Sequence, residues 1–214
     1  SFTGTIYLPW EGEASFEETS TSEGARALFD TYYPDSIPLL GDLVQNYSEH
    51  PASKLGTVRC ETWHLGDKVL LVGDAAHGIV PFFGQGLNCG FEDCAVLVDL
   101  FDQYDTLAEV FSAFEKTRKT NGNAIADMAL ENFTEMRDKV GDPEFIRRQK
   151  FELRLEQELT TLYRSHYATV MYSGVPYRDA LDAGLIQDEI LAELMERFET
   201  PESIDLEVAK TLIS

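Results

Sequence analysis

The stretch Lys68–Asp99, KVLLVGDAAHGIVPFFGQGLNCGFEDCAVLVD, decides how this 214-residue chain is interpreted. The continuous apolar run at 68–72 predicts a strand that is buried on both faces, as in a parallel sheet. Asp74 follows directly, and a loop at 81–86 then opens a predicted helix at 87–101. Ligands of open α/β sheets bind at the carboxyl ends of the strands, so this order is typical of a site for a large phosphate-bearing cofactor.

The loop combines a rigid residue with two flexible ones. Pro81 fixes φ, whereas Gly84 and Gly86 allow a ligand to approach the backbone closely. The N-terminus of the following helix favours negative charge. The Asp74 carboxylate suits two roles: hydrogen bonding to the sugar hydroxyls of a ligand, or capping of the next turn.

Other side chains near this loop also allow two interpretations. Phe82 and Phe83 either pack in the core or form an aromatic wall beside a planar ligand. Asn132 has apolar neighbours on a predicted helix, so it either faces solvent or makes a buried polar contact that needs a partner. Tyr167, taken alone, is more typical of a structural residue.

The glycines at 84, 86 and 90 imitate the dinucleotide fingerprint GxGxxG but do not match it. The third glycine is one residue late, and the preceding strand ends too far upstream. The sequence contains no other GxGxxG. We therefore expect no Rossmann phosphate loop in this chain.

Composition excludes several classes of partner. The net charge of −21 and the pI near 4.4 disfavour binding to nucleic acid or to an anionic membrane. The odd number of cysteines, with no CxxC spacing, argues against a disulfide framework or a metal site. No apolar run reaches the roughly 18 residues of a transmembrane helix. We expect reduced cysteines, structural histidines, with His77 bonded to backbone near the loop, and a cytoplasmic location.

Periodicity predicts an α/β (α+β) chain with a β-rich first part and a helical remainder. The predicted strands cover residues 2–9, 55–64 and 68–72. The predicted helices cover residues 24–32, 37–45, 87–101, 106–139, 143–171, a segment beginning near Pro176, 187–198 and 202–213. A strand at the first residues needs a neighbour, so we expect the chain to be a fragment of a longer protein.

The run GDAAHGIVPFFGQGLNCGFEDC, at 73–94, resembles the second flavin-binding motif of the class A flavoprotein monooxygenases, which begins Gly-Asp-Ala-Ala-His. A finer likeness, to the members that hydroxylate kynurenine, includes KLGTVRCETWH at 54–64 and ALENFTEM at 129–136. It continues in the Tyr-x-x-V and S-x-VPY pattern at 167–177. The resemblance covers roughly residues 1–190.

This resemblance implies a division of the chain and a set of site residues. Residues 1–66 would be the end of a substrate-domain β-sheet, 67–105 the FAD-motif strand, loop and helix, and 106–214 a helical C-terminal domain. The implied FAD contacts are Asp74, Pro81, Gly84, Gly86, Leu87 and Asn88. The implied catalytic-pocket lining between flavin and substrate is Phe82, Phe83 and Gln85, and the residues that bind the amino-acid end of the substrate are Asn132 and Tyr167.

The implied reaction is the NADPH-dependent hydroxylation of L-kynurenine by O₂. The family's substrate-carboxylate Arg, a pocket Tyr and the GxGxxG loop belong to an N-terminal half and have no counterpart here. Leu87 replaces a Met that is common at that position, and the acidic tail is similar to the soluble bacterial members. The alternatives are another class A aromatic-ring hydroxylase and a non-catalytic helical binding module.

Overall fold

The computed structural model describes residues 4–213, which are mostly helical with one small two-stranded sheet. Two compact units are present, one ending at Leu55 and the other beginning at Gly56. The three-part division at residues 66 and 105 stays a prediction. No helix within the described residues is both long enough and apolar enough to cross a bilayer.

Helices α1 (Ser22–Tyr32) and α2 (Leu43–Glu49) form the first unit's regular structure. Each begins where a side chain satisfies a free backbone N–H: Thr21 accepts from Gly24, and Asp42 accepts from Gln45. Their apolar faces meet in a cluster formed by Leu28, Phe29 and Leu43. The predicted helix at 24–32 is confirmed.

Two predictions in this unit are wrong. The helix expected at 37–45 is a 3₁₀ segment (Pro34–Leu39) followed by α2. Pro38 cannot donate to a helical ladder, and Gly41 adopts φ +62°, so the backbone leaves the helical path between them. Of the strand expected at 2–9, residues 4–9 are irregular, and residues 2 and 3 lie outside the described part.

The sheet pairs β1 (His64–Leu65) with β2 (Val69–Leu70) as a short antiparallel hairpin that turns at Gly66. The strands expected at 55–64 and 68–72 are therefore mostly wrong. Backbone groups of the first segment bond elsewhere, since Val58 N–H donates to the Gly78 carbonyl. Within residues 4–213 no third strand covers β2, and the expected double burial and parallel pairing are absent.

The helices of the second unit follow the hairpin. They are α3 (Asp74–His77), α4 (Gly86–Gln103), α5 (Leu107–Asp138), α6 (Pro143–Glu158), α7 (His166–Tyr172), α8 (Tyr177–Arg197) and α9 (Leu206–Ile213). The predictions for 87–101, 106–139 and the start near Pro176 are confirmed.

The helix expected to run from Pro143 to about residue 171 is interrupted. Helix α6 ends at Glu158, and Ser165 begins α7 by accepting from Ala168 N–H. The break places Leu159 and Tyr163 in a core cluster with apolar residues of α6, α8 and α9. The predicted helix at 187–198 is the second half of α8, and the one at 202–213 is a 3₁₀ turn (Pro201–Ser203) followed by α9.

Helix α5 organises the second unit because it contributes to two core clusters. Near its start, Val110 and Phe114 pack with Trp63. Further along, Ile125 and Met128 pack with apolar residues of α4, α7 and α8. A separate cluster joins α6, α8 and α9. The loop at 81–86 thus lies beside a packed helical scaffold.

Helices α7 and α8 pack tightly against each other at Gly184. A Cβ atom built on Gly184 would lie 2.8 Å from the His166 ring. His166 is held in turn by a 2.9 Å contact between its Nε2 and the Met128 sulfur. The absence of a side chain at Gly184 therefore allows α7 to pack against α8.

We expect Gly184→Ala to lower the free energy of unfolding by about 1–3 kcal/mol, because overpacking outweighs the gain in helix propensity. Gly174→Ala is the matched control, since no atom lies within 4 Å of its would-be Cβ. Urea denaturation followed by circular dichroism measures both variants. Equal stabilities of the two variants would contradict the close packing of α7 against α8.

Candidate functional site

The Gly73–Asp74 turn is held by Asp93, a residue of α4 that lies 20 positions further along the chain. Gly73 adopts φ +60°, a conformation that other residues rarely adopt, and its N–H donates to Asp93 Oδ2 at 2.9 Å. Asp74 begins α3 with an exposed side chain. No side chain caps α3, so the simple capping role considered for Asp74 is wrong.

Asp93 lies at the centre of a buried ion-pair cluster, which we call the Asp93 cluster. Its Oδ2 also contacts His77 Nε2 at 2.6 Å, and its Oδ1 accepts from Arg118 Nε at 2.6 Å. Arg118 also pairs with Glu92 at 2.8 Å and donates to the Cys89 carbonyl at 3.2 Å. Buried charges are tolerated when they are paired and hydrogen-bonded, as here.

The cluster shifts the titration of its members. Burial alone would lower the pKa of His77, but the hydrogen bonds and charges of Asp93 and Cys89 outweigh it and raise the pKa to about 10. Burial would raise the pKa of Asp93, but hydrogen bonds from His77, Arg118 and the Gly73 N–H hold it below its usual value. His77 is thus an imidazolium at neutral pH. The expected backbone partner of His77 is replaced by a carboxylate.

Tight packing encloses the imidazolium. The Trp63 indole stacks on the His77 ring, with centroids 5.0 Å apart and planes at 29°. A Cβ atom on Gly122 would lie 3.1–3.2 Å from both rings. The absence of a side chain at Gly122 therefore allows α5 to lie against this stacked pair.

His77, Cys89 and Asp93 are also the group among the described residues whose ligand atoms lie close enough for a metal ion, within 4.8 Å of one another. Both Asp93 oxygens already accept from protein donors, and Arg118 brings a positive charge to the same carboxylate. A cation there would face this guanidinium at close range. The donor set therefore fits an ion-pair cluster better than a metal centre.

The loop at 81–86 presents the N-terminus of α4 to solvent. Gly84 adopts the left-handed conformation, with φ +66°, and no side chain caps the helix. The first N–H groups of an α-helix have no intrahelical partner. Leu87 and Asn88 are exposed at this end of the helix, where the free backbone donors of the first turn lie.

The structure brings the two predicted substrate residues together around this loop. Asn132, on α5, donates from Nδ2 to the Phe82 carbonyl at 2.8 Å. Tyr167, on α7, stacks its ring on Phe83 at a centroid distance of 5.5 Å and remains 49% exposed. Phe82 also contacts Phe133, with centroids 4.7 Å apart. The half-exposed Tyr167 and the half-buried Asn132 therefore share one loop.

Phe83 and Gln85 are buried, with 7% and 3% of their surfaces exposed. The Gln85 carboxamide oxygen accepts from Asn88 Nδ2 at 3.0 Å and from the Tyr177 hydroxyl at 3.1 Å. Its Nε2 contacts the Met171 sulfur at 3.1 Å. The Gln85 side chain is therefore directed into the protein in this structure, while Pro81, Gly84, Leu87 and Asn88 remain exposed.

Sequence reasoning missed Asp93, Arg118 and Tyr177. Asp93 carried no distinct signal, because it is one of several acidic residues in α4 and follows Glu92 directly. Arg118 lies 25 residues further on, in a charged stretch that reads as a solvated face. Tyr177 belonged to the quoted VPY pattern but received no role. Side-chain contacts between residues so far apart in the chain produce no periodic pattern in the sequence.

Two open hollows lie along α5 rather than at the loop. One, of about 460 Å³, is lined by residues that include His64, Glu115 and Lys119. The other, of about 750 Å³, is lined by residues between Leu100 and Thr117. None of the predicted site residues lines either hollow.

The raised pKa of His77 makes a pH-dependent prediction. A group whose pKa is higher in the folded state stabilises fully below its unfolded value, about 6.5, and loses this contribution as pH rises through about 10. The stability advantage of wild type over His77→Gln should therefore shrink across this range, by at most about 1.4 kcal/mol per pH unit.

Urea denaturation at several pH values between 6 and 10 measures this difference. His50→Gln, at an exposed position, is the matched control, and its stability curve should parallel that of wild type. Parallel curves for wild type and His77→Gln would contradict a charged His77 in the Asp93 cluster.

Comparisons with known proteins find a matching family model and several similar sequences. A family model described as an FAD binding domain matches residues 18–112. Kynurenine 3-monooxygenase of Myxococcus xanthus (strain DK1622) is 47% identical over 213 residues, which is 100% of this chain and 46% of the relative. The enzyme of the same name from Xanthomonas oryzae pv. oryzae (strain PXO99A) is 43% identical over 213 residues, 100% of this chain and 47% of the relative.

A third relative, kynurenine 3-monooxygenase of Xanthomonas euvesicatoria pv. vesicatoria (strain 85-10), is 46% identical over 193 residues, 90% of this chain and 42% of the relative. The chain thus spans about half the length of the curated relatives it matches. The similarity extends from one end of the chain to the other and includes the loop, α4 and the helices that carry Asn132 and Tyr167. Along its whole length the chain is therefore similar to about half of each of these relatives, and residues 18–112 match the FAD binding domain model.

Proposed function

We propose that this chain is the C-terminal portion of an FAD-dependent monooxygenase that hydroxylates L-kynurenine. In the balanced reaction, L-kynurenine, NADPH, a proton and O₂ give 3-hydroxykynurenine, NADP⁺ and water. The observation that supports this most is the loop at 81–86, which joins an open helix N-terminus to the Asn132 and Tyr167 pair. The relatives named kynurenine 3-monooxygenase add support.

The residues present fit FAD at the N-terminus of α4. The uncapped helix offers free N–H donors and a positive dipole end, which suit the anionic pyrimidine edge of a reduced flavin. Gly84 leaves the backbone open, since nothing lies within 4 Å of its would-be Cβ. In this proposal Asp74 hydrogen-bonds the ribityl or pyrophosphate region, and Pro81, Gly84, Gly86, Leu87 and Asn88 border the isoalloxazine.

When bound, FAD would accept the reducing equivalents of NADPH and activate O₂. The chain's own residues would bind, orient and exclude water. Phe82 and Phe83 place apolar rings at the loop, next to the predicted substrate residues. Such a wall keeps a reactive site dry. Gln85, whose side chain is directed into the protein, would hold the loop from its buried side.

The substrate would be held by α5 and α7. Asn132 uses its Nδ2 on the Phe82 carbonyl, which fixes the orientation of the carboxamide and leaves Oδ1 to accept from a ligand amine. Tyr167 keeps half its surface exposed while its ring is stacked on Phe83. Both groups suit the amino and carboxylate end of an amino acid. A bound kynurenine would thereby be oriented by the same loop that borders the flavin.

The remaining parts of the site would come from an N-terminal half of the same protein. The chain contains no GxGxxG loop, and it spans 46% of the Myxococcus relative. Helix α4 also exposes Leu87, Phe91 and Val98, each more than 60% accessible, as an apolar stripe. We propose that the additional half supplies the phosphate loop and the cationic group for the substrate carboxylate.

The decisive test is NADPH oxidation by the full-length, FAD-loaded protein with and without L-kynurenine. We expect stimulation by kynurenine and a product one oxygen atom heavier, identified by mass spectrometry. A flavoprotein without stimulation would indicate a different class A aromatic-ring hydroxylase. A purified protein that holds no flavin would favour the non-catalytic helical binding module.

Asn132→Ala should raise the KM for kynurenine by about tenfold, since one hydrogen bond to a charged group contributes roughly 1.5 kcal/mol or more. Tyr172→Ala on α7 is the matched control, because Tyr172 is 75% exposed and lies outside the loop contacts. Steady-state kinetics at saturating NADPH measure both variants. An unchanged KM in Asn132→Ala would remove Asn132 from the substrate site.

A further inference from the structure

The Tyr177 hydroxyl connects the start of α8 with the residue that precedes α4. It donates to Gln85 Oε1 at 3.1 Å, over 92 positions of sequence. The same oxygen accepts from Asn88 Nδ2, one turn into α4. Both lone pairs of this carboxamide oxygen are thus occupied by protein donors.

The rest of the Gln85 side chain is also restrained. Its Nε2 contacts the Met171 sulfur on α7, and the side chain is 3% exposed. Because the Asn88 amide nitrogen donates to the same atom, that atom is the carboxamide oxygen, which faces Tyr177, while the nitrogen faces Met171. Burial raises the pKa of Tyr177, so its hydroxyl remains a donor.

Three helices therefore hold the loop at 81–86, each at a different residue. Asn132 on α5 holds the Phe82 carbonyl, and Tyr167 on α7 stacks on Phe83. Tyr177 on α8 holds Gln85. Tyr177 differs from the other two because it is buried, 6% exposed, with its ring in the core cluster, so it does not reach a ligand.

We propose that Tyr177 is a positioning residue that acts through Gln85 and fixes the open N-terminus of α4 relative to the substrate pair. This inference rests on the proposed function. Removal of the hydroxyl leaves one lone pair of a buried carboxamide oxygen unsatisfied and frees the group to rotate. The donors at Leu87 and Asn88 would then lose their fixed distance from Tyr167.

The test compares wild type with Tyr177→Phe in the full-length, FAD-loaded protein. Tyr172→Phe is the matched control on the exposed side of α7. Hydrogen–deuterium exchange of the peptide covering residues 81–91 measures the loop without reference to activity. Product formed per NADPH consumed measures the alignment of flavin and substrate, a ratio that a loss of global stability alone does not change.

In Tyr177→Phe we expect at least threefold faster exchange in this peptide and at least a threefold fall in product per NADPH, with the KM for kynurenine within twofold of wild type. Tyr172→Phe should match wild type in all three. Gln85→Leu should reproduce the loss of coupling, and the Tyr177→Phe and Gln85→Leu double variant should be no worse than the more affected single variant.

Additive effects in the double variant, or unchanged exchange in Tyr177→Phe, would overturn the proposal. Should Tyr177→Phe fail to fold, Gln85→Leu with Tyr177 intact decides the matter by the same two measurements. Absence of kynurenine-dependent product in wild type would instead overturn the proposed function. Loop exchange in the variants would still show whether Tyr177 holds the start of α4.

Discussion

The buried carboxylate of Asp93 is the interaction on which the second unit depends. It joins the Gly73–Asp74 turn, His77 of α3 and Arg118 of α5 from a single position on α4. A buried charge that loses a partner is costly, by several kcal/mol, so these elements are held in one arrangement. The turn that carries Asp74 and helix α4 are thereby joined directly.

The loop at 81–86 is the second consequence of that arrangement. Once α4 is fixed, its N-terminus must emerge next to the loop. Helix α5, which carries Arg118, also carries Asn132 nearer its C-terminal end and brings it to the loop. The chain thus separates two tasks. A charged cluster sets the positions of the helices, and aromatic and amide contacts set the loop. The cluster positions the helices without ligand contacts from the loop residues, and the loop is held without ligand contacts from the cluster.

The sequence predicted the parts that local rules determine. Apolar periodicity located α4 and α5, proline located the starts of α6 and α8, and the glycine loop marked the start of α4. Strand predictions failed because alternation alone does not supply a neighbouring strand to pair with. The break at Leu159–Ser165 was hidden because tertiary burial of Tyr163 outweighs helix propensity there. The Asp93 cluster joins residues up to 45 positions apart, from Gly73 to Arg118, a separation at which no local pattern operates.

The stacked Trp63 and His77 pair also has an optical consequence. The chain has two tryptophans, of which Trp63 is 1% exposed and Trp10 is 52% exposed. An imidazolium in contact with an indole accepts its excited-state electron and quenches emission, whereas a neutral imidazole does so much less. We therefore expect the emission of the buried indole to be weaker while His77 is charged and to increase when the proton leaves. Ordinary fluorescence thereby reports the charge state of a group deep inside the protein without any added label.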